Sequence, residues 1–227
     1  MKAARADALL FDIGNVIYGI DFDRALACWA AHAACAPALL TNRFTVDAAF
    51  RRHEIGEITD AEFFAALRSM LQIELSDDQL LEGWNAIFLD EPAGISAALK
   101  EAAACVPLYA FSNTDRAHEA FLSRKYAGLL AHFRKLFLSS TIGLRKPDAE
   151  AFRHVVKEIG VPAERIVFFD DSIVNVEAAR ACSLQPCISV RWPMCRTRSR
   201  PRYAEQAQPA ELRAESRFAI AAFTQRL

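Results

Sequence analysis

The chain has 227 residues, of which 53% are hydrophobic and 24% are charged, and its formal net charge at pH 7 is −1. This length can bury one substantial core and carry one smaller domain, and so small a net charge gives no reason to expect a nucleic acid or an anionic membrane as partner. The absence of CxxC pairs and of any apolar run near the roughly 20 residues of a membrane span predicts a cytoplasmic enzyme or binding protein. The sequence carries no signal for an oligomeric state.

The first predicted element is a strand at residues 7–12 that ends on a carboxylate. The apolar run is closed by Asp12 and followed by Gly14 and Asn15, a combination typical of a tight turn. A buried strand therefore delivers one carboxylate into an amide-rich turn. This placement makes Asp12 the best candidate nucleophile in the chain.

The next stretch, residues 13–93, is too long for a single crossover helix. Four segments in it begin with Asp, Ser or Thr and continue with helical periodicity, at 21–35, 45–57, 59–71 and 76–91. We therefore expect a small helical cap at 16–93. It would be inserted into a core formed by 1–15 and 94–195.

The rest of the core alternates between predicted strands and helices. Runs rich in β-branched and aromatic residues predict strands at 106–111, 136–139, 165–170 and 186–190. Helical spacing of apolar residues predicts helices at 94–104, 114–127, 148–159 and 172–182. This alternation predicts an α/β fold, a Rossmann-like parallel sheet with helices on both faces. Residues 196–227 are expected to form a basic linker and a final helix.

Polar residues stand after four of the predicted strands. They are Asp12 after the first, Ser112 and Asn113 after the second, Lys146 in the loop after the third, and Asp170 and Asp171 after the fourth. Each alone is an ordinary helix cap or loop residue. Because open parallel sheets bind ligands beyond the carboxyl ends of their strands, four chemically complementary endings predict one site. The five histidines show no metal-ligand spacing and are expected at surfaces or as partners of other polar groups.

Four motifs in this order carry a resemblance to a known family: FDIGNV at 11–16, FSNTD at 111–115, GLRKPD at 143–148 and VFFDDS at 167–172. On them the chain resembles the haloacid dehalogenase-like hydrolases, a class dominated by phosphatases. The form of the first motif, DFDR at 21–24 and HEIGEIT at 53–59 look closest to the branch of bacterial sugar-phosphate phosphatases active on glucose 1-phosphate. The resemblance implies a small phosphorylated substrate.

The same resemblance implies roles for the residues of the predicted site. Mg2+ would be held by Asp12, the carbonyl of Gly14 and Asp171, with Asp170 assisting directly or through water, an oxygen-only set suited to a hard ion. Lys146 and the metal would neutralise the phosphate, because two anions otherwise repel as they approach. Ser112, Asn113 and nearby main-chain amides would bind phosphate oxygens. Asn175 lies four residues after Asp171 and either orients the metal shell or is a helix-surface residue.

Gly14 stands where most family phosphatases have an acid that protonates the leaving group. A positioned general acid is typically worth roughly 100- to 10,000-fold in rate, so this role must be replaced or made unnecessary. One hypothesis is a better leaving group, such as the anomeric oxygen of a sugar 1-phosphate. The other is proton supply by Asp21 or Asp23 at the cap entrance.

There are three alternatives to a phosphatase. Family dehalogenases also lack the second acid, but they need no metal, so Asp170 and Asp171 argue against a metal-independent haloacid dehalogenase. Phosphonate-cleaving relatives need a cap lysine, and no lysine lies between Lys2 and Lys100. A non-catalytic phosphometabolite-binding or regulatory protein stays open from the sequence.

Overall fold

The centre of the molecule is a five-stranded parallel sheet. The structure, a computed structural model, describes residues 6–188. The strands are β1 (Ala8–Phe11), β2 (Leu108–Ser112), β3 (Lys135–Leu138), β4 (Ile166–Asp170) and β5 (Gln185–Ile188). Their order in the sheet is β3-β2-β1-β4-β5, and every neighbouring pair is parallel. The predicted α/β fold is confirmed, and each predicted strand overlaps an observed one.

Five helices fill the long connection between β1 and the next core helix. They are α1 (Phe22–His32), α2 (Pro37–Arg43), α3 (Ala48–Glu54), α4 (Asp60–Leu71) and α5 (Asp77–Asn85). Asp21, Thr59 and Ser76, which begin three of the predicted segments, each accept a hydrogen bond from a first-turn amide. The segment predicted from residue 45 begins its helix later, at Ala48, with Asp47 as the cap. The sequence analysis missed α2, because it begins at Pro37 after Ala36 and has no side-chain cap.

The remaining helices cover the sheet. They are α6 (Ile95–Cys105), α7 (Arg116–Lys125), α8 (Ala127–Leu130), α9 (Ser139–Ile142), α10 (Ala149–Ile159) and α11 (Ile173–Ala181). Within residues 6–188, none of the helices is both long and apolar enough to cross a bilayer. The basic linker and final helix predicted at 196–227 lie outside the described residues.

Strand β1 is buried on both faces of the sheet. Leu9 and Phe11 belong to a hydrophobic cluster that continues into the cap helices, whereas Ala8 and Leu10 belong to a second cluster beneath the opposite face. Successive side chains of a strand point to opposite faces, so all four residues must be apolar. Asp12 is therefore the first polar residue after β1, at the point where the chain leaves the sheet.

Aromatic side chains form the interior of the cap. Trp29 and Trp84 are buried and stack with ring centroids 6.3 Å apart, and Trp29 Nε1 donates to the Leu80 carbonyl at 3.0 Å. A Cβ at Gly83 would lie 2.1 Å from Trp29 Nε1, so glycine is what allows α5 to approach α1 this closely. These tryptophans pack in the interior of the cap.

Candidate active site

The carboxyl ends of β1 and β4 bring two aspartates side by side. Phe11 is in register with Phe169, and the Asp12 amide continues the ladder by donating to the Phe169 carbonyl at 2.7 Å. Asp12 therefore lies next to Asp170, the last residue of β4. Both side chains face the loops at this edge of the sheet.

A buried lysine lies between these two carboxylates. Lys146 Nζ is 2.8 Å from Asp12 Oδ1 and 2.8 Å from Asp170 Oδ2. The side chains of Lys146 and Asp170 are 2% and 0% exposed, and that of Asp12 is 13% exposed. A buried charge is costly without a partner, so this contact is needed for all three groups to be charged at once.

Burial and neighbouring charges set the protonation of this cluster. Burial raises the pKa of Asp12 to about 7, and the negative charges of Asp170 and Asp171 act in the same direction against the opposing effect of Lys146. Burial alone would lower the pKa of Lys146, but Asp12 and Asp170 hold it above its ordinary value. The lysine is therefore an ammonium, and added positive charge beside Asp12 would favour its ionised form.

Asn113 holds the loop that carries Lys146. Its amide nitrogen donates to the Lys146 carbonyl at 2.9 Å, and its amide oxygen accepts from the Lys146 N–H at 2.8 Å. The Asn113 side chain thus uses both its donor and its acceptor on the main chain of Lys146. The Asn113 side chain is a clamp for the lysine, and any contact of this residue with phosphate falls to its main-chain amide.

Asp170 is oriented by the start of α11. Its Oδ1 accepts from the Ser172 N–H at 2.8 Å, and the Asn175 amide donates to Oδ1 and Oδ2 at 3.0 and 3.1 Å. Asn175 is therefore not an isolated surface residue. It fixes the carboxylate that pairs with Lys146.

Three carboxylates form a cluster suited to a hard cation. Oxygens of Asp12, Asp170 and Asp171 lie within 4.8 Å of one another. Oxygen-only donors are those that Mg2+ prefers, so the donor set fits the predicted metal. Both Asp170 oxygens already accept hydrogen bonds, which favours a role for this carboxylate through water rather than by direct coordination.

Gly14 has an ordinary backbone conformation, and the end of the Ile20 side chain packs against it. The left-handed residue of the turn is Asn15, with φ 58°, and its side-chain oxygen accepts from the Ile20 N–H at 3.1 Å. A Cβ at Gly14 would lie 2.5 Å from Ile20 Cδ1. A side chain at this position, including an acid, would therefore displace Ile20.

The other predicted polar residues have different surroundings. Ser112 is buried at the end of β2, the strand beside β1. Asp21 caps α1 by accepting from the Asp23 N–H at 3.1 Å. Partial burial, with the charge of Asp21, raises the pKa of Asp23. Neither carboxylate takes part in the hydrogen bonds and ion pairs that join Asp12, Lys146 and Asp170.

A second group of buried charges lies where the cap meets the core, a region we call the seam. Asp115 caps α7, and its Oδ2 accepts from Trp84 Nε1 at 3.0 Å and lies 3.0 Å from His118 Nδ1 and 4.0 Å from His53 Nδ1. Burial alone would raise the pKa of Asp115, but the charges of His118 and His53 and the hydrogen bonds from His118 hold it well below its ordinary range. His53 Nε2 also lies 2.7 Å from Asp60 Oδ1.

A second ion pair of the seam lies beside the lysine loop. Arg145 Nη2 is 2.7 Å from Glu54 Oε2, and Arg145 directly precedes Lys146. The sequence analysis singled out neither residue as part of a site. Glu54 and Arg145 are some 90 positions apart in the chain, and no local sequence pattern predicts such a pair. The HEIGEIT stretch, which contains Glu54, is the one feature of the sequence that points to this part of the cap.

Comparison with known proteins identifies related chains. A family model for haloacid dehalogenase-like hydrolases matches residues 6–183. The chain is 27% identical over 183 residues to drimenol cyclase drtB of Aspergillus calidoustus, covering 78% of this chain and 33% of the relative. It is 24% identical over 184 residues to the D-ribitol-5-phosphate phosphatase of Bacteroides thetaiotaomicron, covering 76% and 86%. It spans roughly a quarter to a third of the length of the first curated relatives it matches.

A solved structure shares the fold closely. The enzyme bt-2542 from Bacteroides thetaiotaomicron, of the same family and in complex with magnesium and inorganic phosphate, is 25% identical with a TM-score of 0.72. The match covers 82% of this chain and 95% of that one. The similarity includes the cap helices as well as the sheet.

Proposed function

The chain belongs to the haloacid dehalogenase-like hydrolases, and we propose that it is a Mg2+-dependent phosphatase acting on small phosphorylated metabolites through an aspartyl-phosphate at Asp12. The observation that carries this proposal is the position of Lys146, whose ammonium lies 2.8 Å from both Asp12 and Asp170. One cation is shared by the proposed nucleophile and by Asp170, the last residue of β4. We call Asp12, Lys146 and Asp170 the floor of the site. There the Lys146 ammonium can offset the charge of a dianionic phosphate beside the Asp12 carboxylate.

The same residues take part in both chemical steps of the proposed reaction. The Asp12 carboxylate attacks phosphorus, the bond from phosphorus to the leaving oxygen breaks, and the phosphoryl group stays on Asp12. Water then attacks the same phosphorus, the bond to Asp12 breaks, and inorganic phosphate leaves with the carboxylate restored. Lys146 offsets negative charge in both steps, while Ser112 and the main-chain amides of 13–15 and 113–114 bind phosphate oxygens.

The carboxylate cluster supports a metal requirement. Asp12, the Gly14 carbonyl and Asp171 would hold Mg2+, with Asp170 acting through water. Bound there, the ion supplies positive charge that offsets the repulsion between phosphate and Asp12. The magnesium and phosphate named for the bt-2542 structure support both assignments by analogy.

The proton for the leaving group is the open role in this site. Gly14 supplies none, and Asp21 uses a carboxylate oxygen to cap α1. We infer that the leaving group departs without strong help from an acid, which favours sugar 1-phosphates as substrates. The alternative is that Asp23 supplies the proton. Equal or reversed preference between sugar 1-phosphates and 6-phosphates would remove the leaving-group argument.

The missing acid at Gly14 also supports a second reaction, metal-independent dehalogenation. The Asp170–Asp171 pair favours phosphate, because release of a halide needs no metal. Halide release that persists in excess chelator would favour dehalogenation. A stable phosphoaspartate at Asp12 without turnover would favour a binding or regulatory protein.

The decisive screen measures phosphate release from a panel of phosphometabolites, with and without Mg2+. Wild type should release phosphate only with Mg2+, and Asp12→Asn should abolish the release. Asp7→Asn is the matched control, because it makes the same change at the opposite end of β1, where Asp7 is half-exposed and pairs with Arg165. Activity that survives Asp12→Asn would refute the nucleophile assignment.

A further inference from the structure

The surface of the cap carries a second group of metal-ligating side chains. Cys28, His32 and Glu82 each offer a ligand atom, and these atoms all lie within 4.8 Å of one another. Within residues 6–188, it is the one such group that contains a cysteine. A thiolate, an imidazole and a carboxylate are the ligands that Zn2+ takes in proteins, so this donor set differs in kind from the oxygen-only cluster around Asp12.

Two packed helices bring the three side chains together. Cys28 and His32 are four residues apart on α1 and so share one face of that helix, and Glu82 comes from α5. In the cap interior, Trp29 Nε1 donates to the Leu80 carbonyl at 3.0 Å and joins the same two helices. Because this buried contact holds α1 against α5, the ligands are already close together without an ion.

The group is accessible to an ion from solvent. The side chains of His32 and Glu82 are 31% and 65% exposed, and His32 Nε2 lies 2.9 Å from Glu82 Oε2. Access from solvent leaves room for a water molecule as a fourth ligand. One thiolate and one carboxylate also balance the two positive charges of a Zn2+ ion. The group therefore matches the ion in ligand type, in access and in charge.

Gln79 controls how well His32 can serve as a ligand. Gln79 Oε1 accepts from the Ser76 N–H at 2.9 Å, and Gln79 Nε2 lies 3.3 Å from His32 Nδ1. Because an amide nitrogen only donates, Nδ1 accepts and the ring proton is on Nε2, facing Glu82. When Nε2 binds a metal, the proton moves to Nδ1 and needs an acceptor. In Gln79→Glu, the two carboxylate oxygens provide acceptors for both the Ser76 N–H and the His32 Nδ1–H.

We propose that Cys28, His32 and Glu82 form a Zn2+ site on the surface of the cap, where the ion links α1 to α5 with water as its fourth ligand. The nitrogen ligand is His32 Nε2. Binding breaks the S–H bond of Cys28 and releases that proton to solvent. A thiolate is a soft ligand and Mg2+ prefers oxygen, so the site selects Zn2+ over the ion proposed for the floor.

The first test is spectroscopic and uses Co2+, which can occupy Zn2+ sites and gives an intense near-ultraviolet charge-transfer band when it binds a thiolate. The full-length protein is reduced, stripped of metal with a chelator, saturated with Mg2+ and titrated with Co2+. Wild type should show the band at a single equivalent of Co2+, and added Zn2+ should remove it. Cys28→Ser should lose the band. Cys35→Ser is the control, a second partly buried free cysteine of the cap, and it should keep the band.

The second test measures Zn2+ binding by calorimetry. His32→Ala and Glu82→Gln should each weaken binding by roughly 10- to 100-fold, since even the partners of metal ligands contribute that much. Gln79→Glu should tighten binding by about 10-fold, because it supplies the acceptor for Nδ1. Asp78→Asn is the control, because it removes an exposed carboxylate one turn before Glu82, and it should bind Zn2+ as wild type does.

Three results would overturn the site. They are the absence of the Co2+ band in wild type, its persistence in Cys28→Ser, and Zn2+ binding that is unchanged in both His32→Ala and Glu82→Gln. Weaker binding in Gln79→Glu would overturn the assignment of Nε2 as the nitrogen ligand. None of these measurements uses phosphate release, so the Zn2+ site and the proposed function stand or fall separately.

Discussion

The floor of the site and the seam both bury charged side chains, but they satisfy them differently. On the floor, Lys146 is paired with Asp12 and Asp170, and Asn175 supports Asp170, so every partner comes from the core. In the seam, Asp115 on the core is paired with Trp84 and His53 from the cap, as well as with His118. Residues of the core alone form the floor, whereas the seam exists only while the cap and the core are in contact.

This difference suggests a division of labour. The floor holds charges in fixed positions, as phosphoryl transfer requires. The seam joins the cap to the core through buried polar contacts, including the ion pair between Glu54 and Arg145. Chemistry would thus depend on the floor, and the position of the cap on the seam.

Replacing Lys146 should have the largest effect, because it breaks the floor itself. Lys146→Met leaves two buried carboxylates without their cation, so we expect phosphate release to disappear. We also expect the free energy of unfolding to fall by about 3–5 kcal/mol, measured by urea titration. Lys135→Met is the control, since Lys135 forms a surface pair with Glu158 and should cost less than about 1 kcal/mol. Near-wild-type activity in Lys146→Met would show that the floor is not built around this cation.

Replacing Asp115 should weaken the seam while leaving the floor intact. Asp115→Asn keeps the shape but removes the charge next to two histidines, so we expect a loss of about 2–3 kcal/mol near neutral pH. The folded-state pKa of Asp115 is lowered, so its contribution is present above the ordinary carboxyl pKa of about 4 and is lost as pH falls below it. Unfolding curves of wild type and variant should therefore converge toward acid pH. A constant difference across that range would contradict the ion-pair assignment.

Placing an acid at Gly14 tests whether the floor lacks only a proton donor. Gly14→Asp forces Ile20 aside and should cost about 1–3 kcal/mol. Adding Ile20→Ala removes the clashing Cδ1 atom and should recover part of that loss. If the new carboxyl group reaches the leaving oxygen, the double variant should gain about 10-fold on primary-alcohol phosphates and little on sugar 1-phosphates. Gly14→Asn with Ile20→Ala is the control that shares the shape without the acid, and an equal gain there would exclude proton transfer.

Removing Asn175 should have the smallest effect, limited to the orientation of Asp170. Asn175→Ala removes two hydrogen bonds to this carboxylate, so we expect a roughly 10-fold loss of Mg2+ affinity or of activity. Glu177→Ala, on the exposed face of α11, should match wild type in Mg2+ titrations of phosphate release. Equal behaviour of the two variants would return Asn175 to the role of a helix-surface residue.

The core could be predicted from sequence because its signals are local. Strands β1, β2 and β4 are short runs of mostly apolar residues, and Asp12 and Asp170 stand at or just after the ends of β1 and β4. The parallel topology then brings Asp12 and Asp170 together without further information. The contacts of the Asn113 side chain could not be predicted, because hydrogen bonds to the main chain of Lys146 depend on the conformation of the loop that follows α9.

The seam could not be predicted because its signals are distant. His53 and Asp115 are 62 positions apart, and the distance between them depends on how the cap packs. Helical periodicity placed His53 on a helix but could not assign its face to the core. The short helix α2 was missed for a related reason, because it has no polar cap and is fixed by packing of Leu40 in the cap interior.

The central claim is that Asp12 carries the phosphoryl group, and trapping that intermediate tests it most directly. Wild type is mixed with Mg2+ and a hydrolysed substrate, quenched in acid during turnover, digested and mapped by mass spectrometry, with Asp12→Asn processed in parallel. We predict a phosphoryl group on the peptide containing Asp12 in wild type, at a level that rises and decays with turnover, and none in the variant. Steady phosphate release with Asp12 unmodified throughout, or with the phosphoryl group on another residue, would contradict the account.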